Sequence, residues 1–121
     1  MMVESAAVFA ARDVAASIAY YRDILGFRVA FEYGEPTYYV GLCRDEVSLH
    51  VIAATETSRL PGNAAPCVFV DNVDELHEEF AARGARIPKP PQDYPYGMRD
   101  FDVIDPDGNQ LTFGMESKRA P

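Results

Sequence analysis

The run DVAASIAYYRDILGF, from Asp13 to Phe27, carries the reading from which the rest of the chain follows. Asp13 is of the type that caps a helix, its carboxylate accepting from the free N–H groups of the first turn. Val14, Ile18, Tyr21 and Leu25 then recur at i, i+4, i+7 and i+11, the stripe of a helix with one buried face. Gly26 supplies a left-handed stop, and Phe27 is the apolar residue that such stops pack. Upstream, Ser5 to Ala11 is small and apolar with strand character around Val8 and Phe9. Downstream, Arg28–Tyr33, Thr37–Cys43 and Val47–Ala53 read as strands, separated by turns at Gly34-Glu35-Pro36 and Arg44-Asp45-Glu46. Alternation in the last of these sends Val47, Leu49 and Val51 toward the helix and leaves Ser48 and His50 on the other face.

The same order then restarts. A polar stretch with Pro61-Gly62-Asn63 leads into a strand at Pro66–Val70. Asn72 caps a second helix with Glu75 at capping-box spacing, Val73, Leu76 and Phe80 form its stripe, and Gly84 stops it. Ala85–Pro88 reads as a short strand and Lys89–Tyr96 as a loop broken by prolines. Arg99–Ile104 and Asn109–Met115 form a hairpin across Asp105-Pro106-Asp107-Gly108. Asn72 thus takes the place of Asp13, Phe80 of Tyr21 and Gly84 of Gly26. An internal repeat of β-α-β-β-β predicts an α+β fold of two βαβββ modules forming a concave mixed sheet. One domain spans 1–121, with module one at about 5–54, a linker at 55–65 and module two at about 66–115.

Composition narrows the function. Hydrophobic residues make up 48% of 121, enough for a packed core without a disulfide or structural metal. Cys43 and Cys67 fit no zinc or redox spacing and read as buried thiols in a reducing, cytoplasmic setting. No apolar run approaches the ~20 residues of a membrane span. The net charge of −8, from 19 acidic against 11 basic residues, opposes nucleic acid and anionic membrane and favours a cationic guest. There is no GxSxG, HExxH or phosphate-cradling glycine loop.

Arg12-Asp13-Val14, the helix end Tyr20-Tyr21-Arg22-Asp23-Ile24-Leu25-Gly26-Phe27, Ser48-Leu49-His50, and the run from Arg99-Asp100-Phe101 to Asp105-Pro106-Asp107-Gly108-Asn109 together resemble the vicinal oxygen chelate superfamily. That superfamily holds glyoxalase, extradiol dioxygenases and the bleomycin and fosfomycin resistance proteins. Leu49-His50-Val51 and Leu76-His77-Glu78-Glu79-Phe80 resemble the bleomycin-resistance branch most closely. The resemblance implies the glyoxalase/bleomycin resistance/dihydroxybiphenyl dioxygenase fold and a homodimer that sequesters a cationic glycopeptide without chemistry.

The superfamily's enzymes hold a divalent metal with one ligand from each of four strands. Those positions fall at Ala6, His50, Ala65 and Thr112, and only His50 is a good ligand. Catalytic sites of this kind need about three protein ligands. No catalytic residue, no metal and no cofactor are therefore assigned, and the balance is against an enzyme. The expected site is a metal-free groove that takes a planar or cationic small molecule, built from Phe31, Tyr39, Ser48, His50, Cys67, Arg99, Gln110 and Thr112. Phe31 and Tyr39 fall where the resemblance implies aromatics that stack on the drug. Cys67 falls where those proteins carry a tryptophan, and this chain has no Trp. Arg99 pairs with a ligand anion, or with Asp100 or Asp102 at the surface. His77 reads as part of a solvated helix face. The alternative is a metal-dependent lyase or dioxygenase with an unconventional set, such as His50 with Gln110 and a residue of a dimer mate.

Overall fold

Period-two alternation fixes the faces of the sheets before any long-range contact does. In the computed structural model of the chain, which describes residues 1–117, the alternating runs are strands, and in Val47–Ala53 and Met98–Ile104 one apolar parity (Leu49 and Val51, Phe101 and Val103) is buried. The elements run β1 (Ala7–Ala11), α1 (Val14–Ala19), β2 (Arg28–Tyr33), β3 (Tyr39–Arg44), β4 (Val47–Ala53), β5 (Cys67–Phe69), α2 (Val73–Ala82), β6 (Arg86–Asp93), β7 (Met98–Ile104) and β8 (Gln110–Glu116). They form two four-stranded sheets of like order, β1-β4-β3-β2 and β5-β8-β7-β6. The first pair in each order is parallel and the others antiparallel, so both sheets are mixed. The fold is α+β, as the repeat predicts.

One core serves both sheets. Phe9, Val40, Leu42, Leu49 and Val51 from the first meet Val68, Phe101, Val103, Leu111 and Phe113 from the second, with Tyr21, Leu25, Val73 and Phe80 from the helical segments among them. At roughly 1.5–3 kcal/mol per fully buried large apolar side chain, this shared cluster is the main stabilising term. Two ties cross it. Arg44 at the end of β3 donates to both carboxylate oxygens of Glu79 on α2 (2.7 and 3.0 Å) and to the Leu25 carbonyl (2.9 Å). The Asp105–Asn109 turn is the second: Asp107 accepts from the Arg12 backbone and guanidinium, Asp105 from the Tyr21 hydroxyl, and Asn109 Oδ1 from the N–H groups of Gly62 and Ala64.

Two elements differ from the sequence reading. The first helix is α-helical only to Ala19 and continues as a π-helical turn over Tyr20–Ile24, with Leu25 N donating to Tyr20 O. The extra residue in that turn accompanies the reach of both tyrosines to the other sheet's corner, Tyr20 to Ile104 O and Tyr21 to Asp105. The second difference is Lys89–Tyr96. Its first half belongs to β6, an eight-residue strand that contains Pro88, Pro90 and Pro91. It is an edge strand paired only to β7, with register shifts on both sides of Lys89, which is where proline without an N–H is tolerated. Among the described residues no helix is long and apolar enough to cross a membrane.

Candidate functional site

On both sheets the parity opposite the core stays open. On the first sheet a row runs from Phe31 on β2 through Gly41 on β3 to His50 on β4 and Val8 on β1. Gly41 lets the Phe31 ring lie flat across the strand, since a Cβ at that position would strike the ring. Phe31 and Tyr39 are stacked (6.1 Å, 12°), and the His50 ring meets each edge-on at 5.4 Å. The Tyr39 hydroxyl and His50 Nδ1 share a hydrogen bond of 2.9 Å, which fixes the imidazole and leaves Nε2 as its free nitrogen. Phe31 is 45% exposed. A large ring that open, beside a parallel neighbour, is a surface for a flat guest. Ser48 lies on the same face, opposite Cys43.

On the second sheet the corresponding row is Lys89, Asp102, Thr112 and Cys67, and beside it run Asp100, Gly114 and Phe69. Thr112 donates to Asp102 (2.8 Å), and Lys89 bridges Asp100 (2.7 Å) and Asp102 (3.5 Å). Phe69 is 72% exposed. Gln110 is exposed at the start of β8, on the parity of Thr112.

Of the eight expected site residues, then, Phe31, Tyr39, Ser48 and His50 share one face, and Cys67, Gln110 and Thr112 share another. The two groups share no hydrogen bond, ion pair or ring contact among the described residues, because the sheets meet through their helix-facing sides. Arg99 belongs to neither. Its parity is that of Phe101, and its guanidinium pairs with Asp74 on α2 and with Asp93. It is neither a groove residue nor a partner of Asp100 or Asp102, which are themselves buried. Cys67, expected to be buried, is exposed, and Cys43 is half-buried. Although the residue is exposed, desolvation at its sulfur, then the charges of Asp100 and Asp102, push the Cys67 thiol up, which makes it a poorer nucleophile than a free thiol. His77 is half-buried with its ring edge-on to Phe101 (5.4 Å) rather than on a solvated face.

Sequence reasoning missed Lys89, Asp100 and Asp102 as a set. The alternation Asp100-Phe101-Asp102-Val103 carries the signal for the two carboxylates; nothing local marks Lys89 as their partner. A cleft of about 540 Å³ lies elsewhere, between the β3–β4 turn, β5 and α2, floored by Phe27, Val68 and Phe80, and none of the eight expected residues lines it.

A divalent ion does not fit the positions the family resemblance implies. Ala6 and Ala65 carry no donor, the Thr112 hydroxyl is committed to Asp102, and His50 already shares Nδ1 with Tyr39. No group of three or more His, Cys, Asp or Glu side chains placed to hold a metal occurs among the described residues. Gln110 lies on the other sheet from His50.

The family model of the Glyoxalase/Bleomycin resistance protein/Dioxygenase superfamily matches residues 5–113. The chain belongs to that superfamily. Bleomycin resistance proteins of Geobacillus stearothermophilus and Staphylococcus aureus are 28% identical to it over 134 aligned positions, covering 97% of this chain and 99% of theirs. The bleomycin-binding protein of Streptomyces verticillus, solved with copper(II)-bleomycin, superposes with a TM-score of 0.79 at 27% identity over 98% of both chains. Lactoylglutathione lyase of Agrobacterium tumefaciens shares the fold at 23% identity and a TM-score of 0.78, over 93% of this chain and 92% of its own. The likeness to resistance and binding proteins is thus one of sequence as well as fold, and the likeness to the lyase is one of fold.

Proposed function

We propose that the chain is a non-catalytic binding protein that sequesters a planar, cationic small molecule, of the kind bleomycin represents, in a metal-free groove. The observation that carries this reading is the open aromatic cluster of Phe31, Tyr39 and His50, two parallel rings and an edge-on imidazole facing outward on a rigid sheet. Stacking on such rings favours flat guests, and cation–π attraction favours positive ones. The acidic balance of −8 acts in the same direction over longer range. The donor set at the family's metal positions argues against the lyase or dioxygenase alternative.

Each chain offers two half-grooves on separate sheets, so the reading includes a homodimer. In it the first-sheet face of one subunit stands opposite the second-sheet face of the other and encloses the guest. The exposed rings of Phe31 and Phe69 would then be covered. The cytoplasm is the compartment proposed, from the unpaired cysteines.

Isothermal titration calorimetry with metal-free bleomycin, with and without EDTA, tests the proposal. Binding at a Kd of about 1 μM or tighter, on the order of −8 kcal/mol, unchanged by the chelator, is expected. No heat of binding, or binding that appears only after Zn²⁺, Mn²⁺ or Ni²⁺ is added to the protein, would overturn it.

A further inference from the structure

The second-sheet face contains a seat for one cation, and the chain fills it with its own lysine. Asp100 and Asp102 are 6% and 8% exposed and project from the same face of β7. Two carboxylates so placed repel one another and are poorly hydrated, so a positive partner is demanded. Lys89 supplies it, with Nζ 2.7 Å from Asp100 Oδ1, 3.5 Å from Asp102 Oδ2 and 4.6 Å from the centroid of the Tyr94 ring. Tyr94 is braced from behind by Tyr96, stacked on it at 5.3 Å and 11°. The other oxygen of Asp102 is held by Thr112. Two carboxylates and an aromatic face around an ammonium are the elements by which proteins recognise organic cations.

The lysine is nevertheless the least anchored member. Its side chain is 30% exposed, against 8% and 11% for the two carboxylates. It comes from an edge strand whose pairing shifts on either side of it and whose flanking Pro88 and Pro90 donate no ladder bonds. A four-carbon stem can carry the ammonium out to water with no change in the strand. Burial works against the charge on Lys89, but the hydrogen bonds to Asp100 and Tyr94 and the charges of Asp102 and Asp100 outweigh it and hold the ammonium above its ordinary value.

We propose that Lys89 is a tethered stand-in for the ligand's cation: an ammonium, amidinium or guanidinium on a flat guest takes the seat between Asp100, Asp102 and the Tyr94 ring, and Lys89 swings into solvent. This rests on the binding function proposed above and adds the chemical group recognised and the residue it displaces. Exchange of one cation for another leaves no buried carboxylate unpaired, whereas a neutral planar molecule gains nothing at the seat. Lys89 is thus a specificity-determining residue, setting a threshold that only a cation of better geometry passes.

Benzamidine, a flat ring with an amidinium, and benzamide, its neutral counterpart, are the probes. In protein labelled at the lysine ε-carbons, Lys118→Arg leaves Lys89 as the one lysine of the sequence and so identifies its signal. Benzamidine is expected to move that signal to the position of a solvated lysine, and benzamide to leave it in place. If the seat stands free of Lys89 in about a tenth of wild-type molecules, Lys89→Gln binds benzamidine about tenfold more tightly. Tyr94→Leu, on an exposed turn, binds it more weakly. A Lys89 signal that stays put up to the solubility limit of benzamidine, or equal movement with benzamide, overturns the proposal, and the wild-type measurement decides this even if Lys89→Gln fails to fold. Bleomycin titrated in parallel keeps the two readings apart. Bleomycin binding with Lys89 unmoved by either ligand removes this inference alone. Lys89 released by benzamidine without bleomycin binding removes the bleomycin-like guest and leaves the seat.

Discussion

Asp105 accepts four hydrogen bonds, from the N–H groups of Asp107 and Asn109, the Asn109 amide and the Tyr21 hydroxyl. The carboxylate thereby joins its own turn to the first helical segment from 84 residues away. Burial, followed by the charge and hydrogen bond of Asp105, pushes the Tyr21 phenol far up, so it remains a donor throughout the range in which proteins are handled. Tyr21→Phe removes one charge-assisted bond inside the core and is expected to lose about 1.5–3 kcal/mol, read from the midpoint of urea unfolding. Arg44 makes the other tie. Its hydrogen bonds hold the Glu79 carboxyl below its usual range, against burial that acts in the opposite direction. A carboxyl whose folded value lies below its unfolded value, about 4.3, stabilises fully above that pH and loses the contribution as pH falls through the folded value. Arg44→Met is therefore expected to lower the melting temperature at neutral pH and to show a smaller further drop on acidification below pH ~4 than the parent. Equal acid sensitivity in both would show that the pair contributes nothing between the sheets.

At the scale of elements, β3 and β6 each break a habit of strands for a reason visible only in their neighbours. Gly41 sits mid-strand, where glycine disfavours folding by roughly 0.5–1 kcal/mol relative to alanine, because the Phe31 ring occupies the space a side chain would need. Gly41→Ala is expected to tilt Phe31 away from Tyr39 and weaken bleomycin binding by about tenfold, the loss of roughly one aromatic contact. Calorimetry reads the affinity and near-ultraviolet circular dichroism the ring packing. Unchanged affinity would detach the aromatic cluster from ligand recognition. In β6 the prolines are tolerated because the strand has a partner on one side only. A segment with this proline density reads as a loop, and being an edge is a property of the sheet that no local pattern records.

For the whole molecule, the decisive feature is which sides of the sheets meet. Their helix-facing sides share one core, so the faces carrying His50 and Phe69 remain open. Sedimentation is expected to give twice the mass of the chain, and Phe69→Asp to shift the population toward monomer. A wild-type monomer at micromolar concentration would remove the two-subunit groove and leave each half-groove to bind alone.

Much of this was written in local pattern. The strands Arg28–Tyr33 and Val47–Ala53 are legible to the residue because alternation and flanking turns are properties of neighbours in the chain. So are the Asp13 and Asn72 caps, whose side chains accept from Ala16 N and Glu75 N. The repeated order of elements specified the α+β class, and alternation put Ser48 and His50 on one face. The tertiary structure alone decided the exposure of Cys67, the departure of Arg99 to Asp74 and Asp93, and the meeting of Lys89 with Asp100 and Asp102. Each depends on a partner from another element, and strand parity names only the face on which a side chain lies. Which partner stands there is settled when the two sheets close on their common core.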